Sequence, residues 1–130
     1  MNYQIKDLID LQSLSESEEV EFKLASGRDG KGALPQDFWC SYSALANTRG
    51  GWIILGIKEK QGQFAIHGVV DPSKVRADLF NQLNDRDKVS INLVDSIDNA
   101  PFFDINGKTL IAVKIRAASR KQKPVFITKS

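Results

Sequence analysis

The last fifth of the chain is basic without interruption. Residues 105–130 hold Lys108, Lys114, Arg116, Arg120, Lys121, Lys123 and Lys129 and no acid, a balance of +7. Residues 1–104 hold 11 Lys/Arg against 16 Asp/Glu, a balance of −5. Such a split is the chemistry of a surface for a polyanion, and equally that of a solvated strand and tail whose charges aid solubility. Acids cluster early, from Glu16 to Glu21, where a turn facing water is the simplest reading. Nucleophiles and soft metal ligands are scarce. One cysteine, Cys40, and one histidine, His67, are too few for a structural zinc site. Cys40 falls within a helical pattern with no thiol or histidine partner in sight, so it reads as a packed thiol. His67 follows an apolar strand with no paired acid or serine nearby and reads as structural or surface. No P-loop, dinucleotide fingerprint, HExxH or nucleophile elbow occurs, and Gly50, Gly51 and Gly56 lack the Gly-x-Gly-x-x-Gly spacing.

The elements that must position these charges belong to one domain, residues 1–130. A chain of 130 residues and 14.5 kDa buries a core without disulfides or metals. Its 42% hydrophobic and 26% charged residues are ordinary for a soluble globular protein. No apolar run approaches the roughly 20 residues of a membrane span. The opening MNYQIKDLIDLQSLSESEE is polar and acidic, unlike a signal peptide. A single cysteine fits a reducing compartment, so the expected location is cytoplasmic.

Ile5, Leu8, Ile9 and Leu11 have the spacing of a short amphipathic helix. Val20, Phe22 and Leu24 alternate with charges as in a half-buried strand. Ser26 to Pro35, with three glycines, reads as a loop. Pro35 opens a helix in which Phe38, Tyr42 and Leu45 share a face. That helix stops near Asn47-Thr48-Arg49-Gly50-Gly51, where paired glycines allow a tight helix-to-strand turn. Trp52 to Ile57 reads as one central strand. Gln61-Gly62 turns into a short partner strand, Phe64 to Val69. Asp71-Pro72-Ser73 starts a second long helix with the stripe Val75, Leu79 and Leu83. Val89, Ile91 and Leu93 alternate as a strand. Phe102–Ile105 and Thr109–Ile115 flank Asn106-Gly107, a strong hairpin signal. Pro124 to Thr128 reads as a last strand, and Trp52 and Phe126 are assigned to the core with their strands. The mixture of hairpins and helices is an α+β class.

Two segments carry a family resemblance. The first is Glu16-Ser17-Glu18-Glu19-Val20-Glu21-Phe22-Lys23, and the second runs from Ser43 through Ala46-Asn47-Thr48-Arg49-Gly50-Gly51 to Gly56-Ile57. In this order they resemble the Alba-type domain shared by Schlafen proteins and many bacterial regulators. Gly68-Val69 and Lys123-Pro124-Val125 are similar to the family's downstream landmarks, so the resemblance covers nearly the whole chain. It implies an Alba/Schlafen-like mixed sheet of about five to seven strands, two main helices and a short N-terminal helix. It also implies an N-terminal domain of a longer transcriptional regulator that continues into a regulatory segment.

What the resemblance implies about function divides three ways. The lead is a nucleic-acid-binding module, for DNA or RNA, that touches phosphates through basic groups and needs no cofactor. Its candidate contacts are Lys23, Arg28, Lys31, Arg49, Arg120, Lys121 and Lys123, with Arg28 and Lys31 on the glycine-rich loop. The second is an endoribonuclease using three carboxylates and Mg²⁺ or Mn²⁺, as some Schlafen-type domains do. The family's acids map onto Glu16 and Glu21, with Glu59 where an aspartate is usual and Lys58 where an acid is common. The third is a protein-interaction or ligand-sensing domain, for instance a homodimer, in which Gly50-Gly51 is only a turn.

Overall fold

The apolar run 52–57 supplies the centre of the fold, but as two strands rather than the one expected. The structure is a computed structural model that describes residues 8–25 and 33–127. Strand β2, Gly51–Leu55, is stopped by Gly56, whose φ of 99° suits only glycine. A Cβ there would stand 2.7 Å from Leu110 Cδ2 and 2.9 Å from the Gly68 carbonyl carbon. The Gly56 carbonyl accepts from both the His67 and the Gly68 N–H, at 2.9 and 2.7 Å, which fixes the corner from outside.

In chain order the elements are α1 (Leu8–Ser17), β1 (Val20–Lys23), α2 (Phe38–Ala46), β2 (Gly51–Leu55), β3 (Ile57–Lys60), β4 (Gln63–Ile66), α3 (Pro72–Leu83), β5 (Phe102–Ile105) and β6 (Lys108–Ile115). Short 3₁₀ turns occupy Ile97–Asn99 and Arg120–Gln122. Four strands form one mixed sheet in the order β1-β2-β6-β5, with β1 parallel to β2 and the other pairs antiparallel. The hairpin β3-β4 is a separate two-stranded sheet. This is the α+β, Alba/Schlafen-like architecture that the sequence implies. Among the described residues no helix is long and apolar enough to cross a membrane.

The pleat of β2 divides the core in two. Ile53 and Leu55, with Val113 and Ile115 of β6, face α2 and α3 and pack with Phe38, Tyr42, Leu79 and Leu83. Trp52 and Ile54, with Leu110 and Ala112, face α1 and the β3-β4 hairpin and pack with Leu11, Leu14 and Ile57. Two local signals are realised as expected. The Asp71 carboxylate caps α3 by accepting from the Lys74 N–H at 3.1 Å, Pro72 takes the first turn, and Val75, Leu79 and Leu83 are fully buried. Asn106 and Gly107 take φ values of 54° and 78°, as a two-residue turn between β5 and β6 requires.

Other expectations are corrected. Helix α2 begins at Phe38 rather than Pro35, because Pro35 spends its carbonyl on a turn that accepts from the Phe38 N–H. Residues Glu16 and Ser17 close helix α1 instead of forming a turn; Ile5 lies outside the described residues. The strands expected at 89–93 and 124–128 reduce to a single bridge between Val89 and Ile127. Side chains take several of the backbone groups there that a strand ladder would have used. Tyr42 donates to the Ile91 carbonyl at 2.5 Å and accepts from the Leu93 N–H at 2.9 Å, while Asn92 Oδ1 accepts from the Val94 and Asp95 N–H groups. Phe126 is 58% exposed rather than core, and Cys40 is exposed rather than packed. Alternation explains Phe126: its neighbour Val125 is the buried one.

Candidate functional site

The Ala-Asn-Thr-x-Gly-Gly segment is an anchor for the rest of the basic stretch. Thr48 Oγ1 donates back to the Ala44 and Leu45 carbonyls and closes α2. Gly50 takes a φ of 75°, and a Cβ there would lie 2.5 Å from the Ile115 carbonyl oxygen and 2.8 Å from the Ala117 nitrogen. At Gly51 a Cβ would lie 2.5 Å from the Glu19 carbonyl oxygen. The two glycines thus let three backbone segments meet at the end of α2. Asn47 completes the anchor: its Nδ2 donates to the Val125 carbonyl at 3.0 Å and its Oδ1 accepts from the Val125 N–H at 2.7 Å. The Ala118 N–H donates to the Ala46 carbonyl at 2.8 Å.

Residues 118 and 125 are therefore pinned to adjacent positions, 46 and 47, and the segment between them must arch over the C-terminal end of α2. Its 3₁₀ turn is held by a capping box between Ser119 and Gln122, and Arg116 Nη1 also donates to Gln122 Oε1 at 3.4 Å. The arch displays Arg120, Lys121 and Lys123, all exposed, beside the exposed Arg49. Cations at this place also face the negative end of the α2 dipole.

A groove lies on each side of the arch. The first, of about 580 Å³, is lined by Glu16, Glu18 and Glu19 together with Arg49, Lys114 and Arg116. Its charges are already engaged in part. The Trp52 indole N–H donates to the Glu18 carboxylate, Arg116 Nε donates to Asp95 at 2.8 Å, and Lys114 Nζ stands 5.6 Å from the Trp52 ring centre. The second groove, of about 740 Å³, is lined by Trp39, Cys40, Gln82, Lys88, Phe126 and Ile127, among others, and by no acid. Its Trp39 packs edge-on against Tyr42, ring centres 5.4 Å apart, and the buried Tyr42 hydroxyl is pushed up to about 12, foremost by burial, with the Leu93 N–H pulling the other way.

The structure places the sequence-derived site residues unevenly. Arg120, Lys121 and Lys123 lie on the arch, and Arg49 lies two residues from its Asn47 anchor. Lys23 stands apart, paired to Asp37 at 2.8 Å and only 16% exposed. Arg28 and Lys31 lie outside the described residues. Of the acids, Glu16 lines the first groove, on α1. Strand register sets Glu21 opposite Ile53, on the α2 face of the sheet, and Glu59 opposite Phe64, on the α1 face. Among the described residues no three His, Cys, Asp or Glu side chains form a group that could hold a metal ion, so this arrangement does not present a fitted Mg²⁺ or Mn²⁺ site. Sequence reasoning counted Lys114 and Arg116 in the basic stretch but did not single them out, and it missed Phe126. The bare alternation of Lys114 and Arg116 at the end of β6 was the signal available for the pair.

Comparison with known proteins supplies the rest. Residues 16–129 match the family described as Schlafen, AlbA_2. The chain is similar to the solution structure of the N-terminal domain of a protein related to the ATP-dependent DNA helicase RecG from Nitrosomonas europaea. The identity is 25%, the TM-score 0.69, and the match covers 95% of this chain and 78% of that one. A crystal structure of a Corynebacterium diphtheriae protein shares the fold at 21% identity and a TM-score of 0.59, over 93% of this chain and 23% of that one. No curated protein matches the sequence significantly.

Proposed function

The chain belongs to the Schlafen AlbA_2 family, and on that premise we propose that it is a nucleic-acid-binding domain that engages phosphates along the basic arch. The observation that carries the reading is the display of Arg120, Lys121 and Lys123, all exposed, on an arch tied to Asn47, two residues from the exposed Arg49. Phosphate contact by such residues positions a strand without reading its bases. The relation of its structural neighbour to a DNA helicase is in keeping with a polyanionic partner. A role in delivering a longer transcriptional regulator to DNA or RNA belongs to the same proposal.

The test is binding of labelled DNA and RNA across a salt series. Affinity should fall steeply with salt, and Arg120→Glu with Lys121→Glu should weaken binding at least about tenfold while flattening the salt dependence by roughly two phosphate contacts. Binding that is absent, or indifferent to salt, overturns the reading.

A further inference from the structure

The second groove contains a feature that phosphate contact does not use. Phe126 is a large apolar side chain left 58% exposed, yet its backbone is held on every side. Its N–H donates to Ser90 Oγ at 3.1 Å, its carbonyl accepts from the Ser90 N–H at 3.2 Å, and Val125 before it is bracketed by Asn47. Ile127 after it bridges Val89. An exposed aromatic on a fixed backbone loses little freedom when a flat partner settles on it, which is what a preorganised stacking platform needs.

The groove beside Phe126 has matching chemistry. Trp39 forms part of the wall, and its indole N–H donates to Gln82 Oε1 at 3.2 Å, which leaves the Gln82 amide NH₂ as a donor. Ser43 Oγ donates to the Cys40 carbonyl at 3.2 Å, which leaves its lone pairs to accept. Lys88 is the charged residue of the lining, no acid joins it, and the basic arch adjoins Phe126 through Lys123. An apolar slot with a few polar groups and an anion-attracting rim suits an unpaired base attached to a phosphate chain.

We propose that this groove takes an unstacked nucleobase of a single-stranded nucleic acid, with Phe126 as its stacking platform and the arch holding the adjoining phosphates. The proposal rests on the nucleic-acid reading above and sharpens it to single strands. A base inside a duplex is stacked on both faces, so Phe126 has nothing to offer it.

The experiment compares fluorescence anisotropy of labelled oligouridine and oligothymidine with that of a duplex, for the wild type, Phe126→Ala, Phe126→Trp and Lys121→Glu. Phe126→Ala should weaken single-strand binding about tenfold and leave duplex binding and the salt slope unchanged. Phe126→Trp should restore it, and Lys121→Glu should weaken both ligands. Single-strand binding unchanged in Phe126→Ala, or an equal loss on duplex, overturns the base site and leaves phosphate binding standing. A wild type that binds neither ligand overturns the proposed function, and the base site with it. A wild-type dimer that Phe126→Ala converts to monomer assigns the surface to a second copy of the chain and also overturns the proposal.

Discussion

The two grooves flank one basic arch, yet they differ in kind. In the first, three glutamates share the lining with Arg49, Lys114 and Arg116, and several of these charges already have partners. In the second, apolar and amide groups surround Lys88 and no acid intrudes. A polyanion meets attraction and repulsion together in the first groove, and attraction with a place for a flat ring in the second. The lesson concerns charge counting. The +7 stretch supplies Lys114 and Arg116 to the first groove and only Val125, Phe126 and Ile127 to the second, so the neighbours of a charge decide what each groove can do.

The comparison can be broken first at the anchor. Gly50→Ala would drive a Cβ into the Ile115 carbonyl and the Ala117 nitrogen at a positive φ, so we expect a loss of about 3 kcal/mol or more in urea denaturation. A wild-type midpoint would mean that the first groove's backbone junction is not needed. Next comes Asn47→Ala, which strips both Val125 bonds and should cost about 2 kcal/mol. Hydrogen exchange should then rise over residues 118–127 but not along β6; a rise shared by both regions would show that the grooves are not separable.

Tyr42→Phe leaves the Ile91 carbonyl and Leu93 N–H unpaired beneath the second groove and should cost about 1–2 kcal/mol. The pH dependence has a definite sign. Burial holds the Tyr42 hydroxyl at about 12 in the folded chain, above its ordinary value near 10 when unfolded. Its contribution is fully present below pH ~10 and is lost as pH rises through about 12, because the unfolded chain releases that proton first. Stability curves at alkaline pH should therefore fall more steeply for the wild type than for Tyr42→Phe, and parallel curves would contradict the assignment. The smallest effect separates the grooves by ligand. Lys114→Gln, within the acid-lined groove, should weaken oligonucleotide binding less than Lys121→Gln on the arch, about twofold against several-fold. The reverse order would move the phosphate path into the first groove.

Legibility followed the range of the interactions. Helix α3 and the β5-β6 hairpin could be read from sequence because Asp71, Pro72 and Asn106-Gly107 act on their immediate neighbours. The break at Gly56 could not, since it depends on Leu110 and Gly68 crowding that corner. The segment around Ile91 imitates a strand by alternation, but side chains from α2 and its own turn take the Ile91 carbonyl and the Leu93 and Val94 N–H groups, so no continuous ladder forms. Of the candidate site, the cations were legible as a count and Asn47 as part of a motif. The arch was not, because it is tied down by bonds between residues 78 positions apart.

That separation in sequence also sets a schedule. On a ribosome, Asn47 is made long before Val125, and at about 5–20 residues per second the interval is roughly 4 to 16 seconds. Throughout it, the end of α2 has no arch above it and the second groove lacks its outer wall. A nascent chain can therefore assemble much of its central sheet while the proposed binding surface does not yet exist, and that surface waits for residues 118–127.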